Sequence, residues 1–85
     1  MAPKKAVFGK KGGAGESVLV VAFMEDGTPV TGALSGKLHS WQGTNCSSVV
    51  PAAHKGSVNC LFACRGGLVS GGKDGKVLYL LFNFL

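Results

Sequence analysis

Phe23-Met24-Glu25-Asp26-Gly27-Thr28-Pro29-Val30-Thr31-Gly32 and Phe62-Ala63-Cys64-Arg65-Gly66-Gly67-Leu68-Val69-Ser70-Gly71 fall on one another when the sequence is slid by 39 positions. Without a gap, the same shift lays Ser35-Gly36-Lys37-Leu38 onto Asp74-Gly75-Lys76-Val77. Short apolar runs, broken by glycine turns and repeating about every 40 residues, are the pattern of a β-propeller blade array. Such arrays are interaction platforms more often than self-contained catalysts.

Outward from that repeat, every periodic segment reads as a strand. Residues 17–23 form a β-branched, apolar run. Asp26-Gly27 is a turn dipeptide leading into residues 29–33, and Ser35-Gly36 turns into residues 37–41. Gly43-Thr44-Asn45 turns into residues 46–50, which Pro51 closes because it cannot donate to a ladder. The cycle then restarts. Residues 57–64 alternate, with Val58, Cys60, Phe62 and Cys64 expected on one face and Asn59, Leu61 and Ala63 on the other. Residues 68–71 and 76 onward complete about seven strands, and no helix is expected. The organisation is a basic, Gly-rich lead-in (1–16), a first repeat (17–56) and a second, shorter repeat (57–85) with an apolar tail.

Composition agrees. Fourteen glycines among 85 residues supply tight turns, and 46% apolar residues fit a small globular chain. The net charge of +5 has a cluster at Lys4, Lys5, Lys10 and Lys11, which would attract acidic partners. Arg65 is the one arginine and the lysines are not interleaved with aromatics, so nucleic acid is disfavoured. Three cysteines with no secretory pattern before them point to reduced thiols in the cytoplasm. No apolar run approaches the roughly 18 residues of a membrane span.

Ala53-His54 before one strand and Trp41-Gln42 at the end of another resemble the marks of WD-repeat proteins. That resemblance implies four-stranded antiparallel blades in which a loop histidine, a turn aspartate, a strand hydroxyl and a tryptophan form a structural network. His54, Ser70 and Asp74 fit it in the second repeat, and Thr31 and Trp41 in the first. Ser35 stands where aspartate is expected, no histidine lies near Ala14-Gly15, and Leu80-Leu81 replaces Trp-Asp. The order of Lys5-Ala6-Val7-Phe8-Gly9-Lys10-Lys11-Gly12, Val21-Ala22-Phe23, Val30-Thr31-Gly32, Gly36, Trp41, Ala53-His54-Lys55-Gly56 and Ser70-Gly71-Gly72-Lys73-Asp74-Gly75-Lys76 resembles the echinoderm microtubule-associated protein-like (EMAP-like) family. The likeness covers roughly residues 5–79.

The expected fold is therefore all-β, a fragment of a WD-repeat β-propeller of about two blades. The expected function is a non-catalytic interaction scaffold with protein partners. The resemblance implies tubulin or microtubules among them and the cytoskeleton as a location. Lys4, Lys5, Lys10, Lys11, Lys37, Lys55, Lys73 and Lys76 are the candidate tubulin-facing residues. A generic WD-repeat interaction module and a truncated product without function of its own remain alternatives. Two blades leave both outer faces bare, so further blades or self-association are expected to be needed for folding. Residues 80–85 read either as the end of a third strand plus a fourth or as sequence foreign to the repeat.

Catalytic, metal and cofactor readings fail on residue type. In Gly9-Lys10-Lys11-Gly12-Gly13-Ala14-Gly15-Glu16-Ser17, a phosphate loop would need lysine where Glu16 stands. Cys46, His54, Cys60 and Cys64 match no zinc-knuckle spacing, and Cys60 and Cys64 are expected on a buried strand face. Cys64, His54 and Asp74 lack any accompanying oxyanion-hole motif. His39 is expected on an outward face.

Overall fold

A computed structural model describes residues 16–81. It contains β1 (Val18–Phe23), β2 (Pro29–Ala33), β3 (Leu38–Gln42), β4 (Asn45–Val50), β5 (Val58–Cys64), β6 (Gly67–Gly72) and β7 (Val77–Leu81). These form two antiparallel meanders, β1-β2-β3-β4 and β5-β6-β7. Among the described residues there is no helix. Residues 82–85, part of the tail read either as a further strand or as sequence foreign to the repeat, lie outside the described residues, as does the lead-in before Glu16.

The turns follow from local chemistry. The β2–β3 and β6–β7 hairpins are closed alike, Gly36 N–H donating to the Ala33 carbonyl and Gly75 N–H to the Gly72 carbonyl, both at 3.1 Å. Gly36 and Gly75 have φ of 93° and 79°, a region that favours glycine because it has no Cβ. Both repeats also carry a register irregularity in the first strand, between Val18 and Val20 and between Val58 and Cys60.

Those bulges correct two expectations. Val18 pairs with Ala33, and Val58 with Gly72. The repeats are thus offset by 40 residues on the first strand and 39 on the second, so Phe23 corresponds to Ala63 and not to Phe62. The β5–β6 turn is one residue shorter than its counterpart, and a gapless shift hides this. The strict alternation expected for residues 58–64 also fails. The extra residue at Asn59 puts Val58 on one face with Leu61 and Ala63, while Cys60 and Phe62 face out. Cys60 is exposed and Cys64 half-buried, so neither sits on a buried face.

The sheets pack face to face. Val30, Leu38, Val58 and Leu68 are fully buried between them, joined by Met24 and Ala53. Each such aliphatic side chain contributes about 1.5–3 kcal/mol by leaving water. Gly32 sets the closeness of approach, since a Cβ there would lie 2.6 Å from Val58 Cγ1 and 2.8 Å from Val20 Cγ2. Both outward faces expose large apolar side chains. Phe23 is 61% exposed on the first sheet, and Phe62 and Val77 are 69% and 74% exposed on the second.

Candidate functional site

Two polar networks hold the sheets at the end where the connection between them crosses the hairpin turns. In the second sheet, His54 Nδ1 lies 3.0 Å from Asp74 Oδ1 and Nε2 lies 2.8 Å from Ser70 Oγ. His54 and Ser70 are buried. An ionised carboxylate only accepts, so Nδ1 carries the proton and Nε2 accepts from the Ser70 hydroxyl. Asp74 also accepts from the backbone N–H of Lys55 at 2.9 Å and of Lys76 at 3.1 Å. These two backbone donors, then His54, hold its carboxyl down at about 2, against an ordinary 3.8. Gly72 leaves room for the ring: a Cβ there would lie 2.3 Å from His54 Nδ1. Leu80 occupies the place of the missing tryptophan and packs against the core.

In the first sheet, Trp41 Nε1 donates to Thr31 Oγ1 at 3.0 Å, both buried. His39 lies on the outward face of the first sheet as expected, in register with Thr31 and Val49 and opposite to Leu38, but it is covered. It is buried, stacked on Trp41 with ring centroids 5.9 Å apart, and its Nε2 is 2.7 Å from Glu16 Oε2. The other Glu16 oxygen accepts from the Ser35 hydroxyl. The Ser35 bond, then His39, holds the Glu16 carboxyl below its usual range despite partial desolvation. Sequence reasoning missed Glu16 and His39 because the polarity is reversed. In the second sheet the imidazole comes from the connection before the first strand and the carboxylate from the turn. In the first, the carboxylate lies just before β1, a hydroxyl sits in the turn, and the imidazole is on the third strand. The available signal was Ser35 standing at an aspartate position with an acidic residue immediately before Ser17-Val18.

The hydrogen bonds that close these networks also bring the described lysines to one rim. His54 N–H donates to the Gly36 carbonyl at 3.1 Å and Lys73 N–H to the Ser57 carbonyl at 2.9 Å, tying the connection to both hairpin turns. Lys37, Lys55, Lys73 and Lys76 are all exposed there. The rim's two carboxylates, Glu16 and Asp74, are both engaged in hydrogen bonds. Glu25 and Asp26 lie at the opposite end with Arg65, where Gly66 N–H donates to Glu25 Oε1 at 2.8 Å. Lys4, Lys5, Lys10 and Lys11 lie outside the described residues.

No three His, Cys, Asp or Glu side chains among the described residues are grouped to hold a metal ion. A 240 Å³ cleft lined by Met24, Thr28, Trp41 and Ser47 is smaller than the roughly 300–1,000 Å³ typical of ligand pockets.

Two antiparallel meanders of one repeating unit, packed face to face and closed by a loop histidine on a turn aspartate, define a WD-repeat protein. The chain belongs to that class and stands close to the EMAP-like proteins over part of their length. It is 32% identical over 75 residues to ciliary WD repeat-containing protein ctxp80 of Euplotoides octocarinatus, covering 88% of this chain and 10% of that protein. Echinoderm microtubule-associated protein-like 1 of Homo sapiens is 44% identical over 71 residues, covering 79% of this chain and 9% of its own length. Echinoderm microtubule-associated protein-like 2 of Mus musculus is 45% identical over 65 residues, covering 72% and 10%. The chain thus spans about a tenth of the length of these relatives. No family model matches it, and no solved structure does.

Proposed function

We propose that this chain acts as a non-catalytic WD-repeat scaffold whose basic rim docks on the acidic surface of tubulin in microtubules, and hence works at the cytoskeleton. The observation that carries the reading is the charge segregation. Lys37, Lys55, Lys73 and Lys76 crowd one rim, where both carboxylates are engaged in hydrogen bonds, while Glu25 and Asp26 sit at the far end. A one-signed rim steers association with an oppositely charged surface. Lys4, Lys5, Lys10 and Lys11 would add to it from the lead-in. The names of the similar proteins, microtubule-associated in two cases, support the choice of partner. Thr31, Trp41, His54, Ser70 and Asp74, which belong to the two networks, have a structural role in this reading.

Microtubule cosedimentation across a salt series tests it. At a Debye length of about 8 Å in physiological salt, exposed-charge contacts are strongly screened, so the bound fraction should fall steeply with added salt. Replacing Lys37, Lys55, Lys73 and Lys76 together by Gln should abolish pelleting at low salt, while Arg65→Gln at the opposite end should leave it intact. A quadruple variant that pellets like the parent chain would overturn the rim. Charge reversal of Lys10 and Lys11 without loss would remove the lead-in from the proposal.

A further inference from the structure

Cys46 stands opposite Trp41 in the β3–β4 pairing. Its Sγ lies 3.7 Å from His39 Nδ1, within reach for sulfur's larger radius, and the residue is exposed. On the far side of the same ring, Nε2 faces the Glu16 carboxylate at 2.7 Å. Glu16 can only accept there, so Nε2 carries the proton and Nδ1 presents its lone pair to the thiol. Burial and stacking on Trp41 keep the ring from turning away. The single Cys46 S–H has a competing acceptor in the Ser48 carbonyl at 3.5 Å, and it serves the relay when it turns to His39 Nδ1.

We propose that Cys46 is a nucleophilic thiol, served by a His39–Glu16 relay, and a site of covalent modification by soft carbon electrophiles. His39 Nδ1 takes the thiol proton, leaving a thiolate beside an imidazolium whose Nε2–H is held by Glu16. The thiolate is the nucleophile. With iodoacetamide as the probe, the S–C bond forms as the C–I bond breaks. Iodide leaves with the bonding pair, and the proton passes from His39 to water. Nothing in the arrangement supplies an oxyanion site, so the chemistry ends at modification of the thiol. The Asp74–His54–Ser70 network has no thiol on its ring and offers no such step.

Cys60 is the internal control. It is equally a free, exposed thiol, but it carries no hydrogen bond to an imidazole among the described residues. The full chain, reduced, is treated with limiting iodoacetamide and the three cysteines are followed by peptide mass mapping. Cys46 should react about a hundredfold faster than Cys60, the lower end of what a positioned base contributes. The difference should vanish in urea. His39→Ala should bring Cys46 down to the Cys60 rate, and added imidazole should restore part of the loss. Glu16→Gln should slow Cys46 and leave Cys60 unchanged. Equal rates for Cys46 and Cys60 in the native wild-type chain would overturn the proposal without recourse to any variant. So would a preference that survives in urea, or an unslowed Cys46 in a His39→Ala chain with the parent β spectrum.

Discussion

Replacing His54 by Ala should remove a large share of the stability of the second sheet, and the structure gives the size of the loss. The ring is buried and makes two hydrogen bonds, one to an ionised carboxylate and one to a buried hydroxyl. A bond to a charged group is worth about 1.5–3 kcal/mol, and the Ser70 hydroxyl left without its partner costs about 1–3 kcal/mol more. The expected loss is roughly 3–5 kcal/mol, against about 4–13 kcal/mol for a chain of this length at ordinary stability per residue. Ser70→Ala alone should cost about 1–3 kcal/mol, because it orphans His54 Nε2. In the double variant each change removes a group the other had left unpaired. The two losses should therefore fail to add by about 0.5–3 kcal/mol. Urea unfolding followed by far-UV circular dichroism measures all four corners of this cycle. At a slope near 1 kcal/mol per molar urea, the low end for small proteins, each kcal/mol moves the midpoint by about 1 M. Additive losses, or a His54→Ala midpoint indistinguishable from the parent, would refute the claim that the ring couples Ser70 to the turn.

Two further outcomes follow from other contacts. Gly32→Ala forces a methyl to within 2.6 Å of Val58 Cγ1, so it should cost about 1–3 kcal/mol by overpacking, and Val58→Ala in the same chain should recover part of it; a Gly32→Ala chain with the parent urea midpoint would show that the sheets are not so close. The Asp74 carboxyl is held at about 2 in the folded chain against an ordinary 3.8, so its contribution is present above about 4 and is lost as pH falls toward 2. Acid titration of the folded fraction should show that loss flattened in Asp74→Asn, and identical acid profiles would reject the assignment.

The strand count was legible because glycine turns mark the ends. Asp26-Gly27, Ser35-Gly36, Arg65-Gly66 and Asp74-Gly75 each interrupt a β-branched or apolar run, and a strand lies on either side of each. Bulges leave no such mark. The extra residue in each first strand, Leu19 or Asn59, is an ordinary strand residue by composition, so the faces of β5 were assigned wrongly from alternation alone. His54, Ser70 and Asp74 were legible through the resemblance to WD repeats, and the structure places Ser70 and Asp74 each within hydrogen-bond distance of His54. Glu16 and His39 were not, because hydrogen-bond chemistry is symmetric where a sequence pattern is not. A carboxylate and an imidazole can exchange elements and still meet, while the motif that would reveal them disappears.

That exchange bears on how the networks relate to the rim. In the second sheet Asp74 accepts from the backbone of Lys55 and Lys76, so the carboxylate that closes the sheet also fixes the main chain of two rim lysines. In the first sheet the hydrogen bonds of Glu16 among the described residues are to side chains, Ser35 and His39, and Lys37 is held through its hairpin, where its carbonyl accepts from Ala33 N–H at 3.0 Å. The rim is therefore built unevenly. Disturbing Asp74 should loosen the positions of Lys55 and Lys76 together, whereas disturbing Glu16 should leave Lys37 in place. On the proposed reading, docking should be more sensitive to the second network than to the first at equal losses of stability. The comparison separates a rim that needs fixed geometry from one that needs only charge. If Asp74→Asn and Glu16→Gln weaken pelleting in proportion to their unfolding alone, only the sum of the lysine charges matters. Excess loss in Asp74→Asn would mean the turn carboxylate positions the surface that binds.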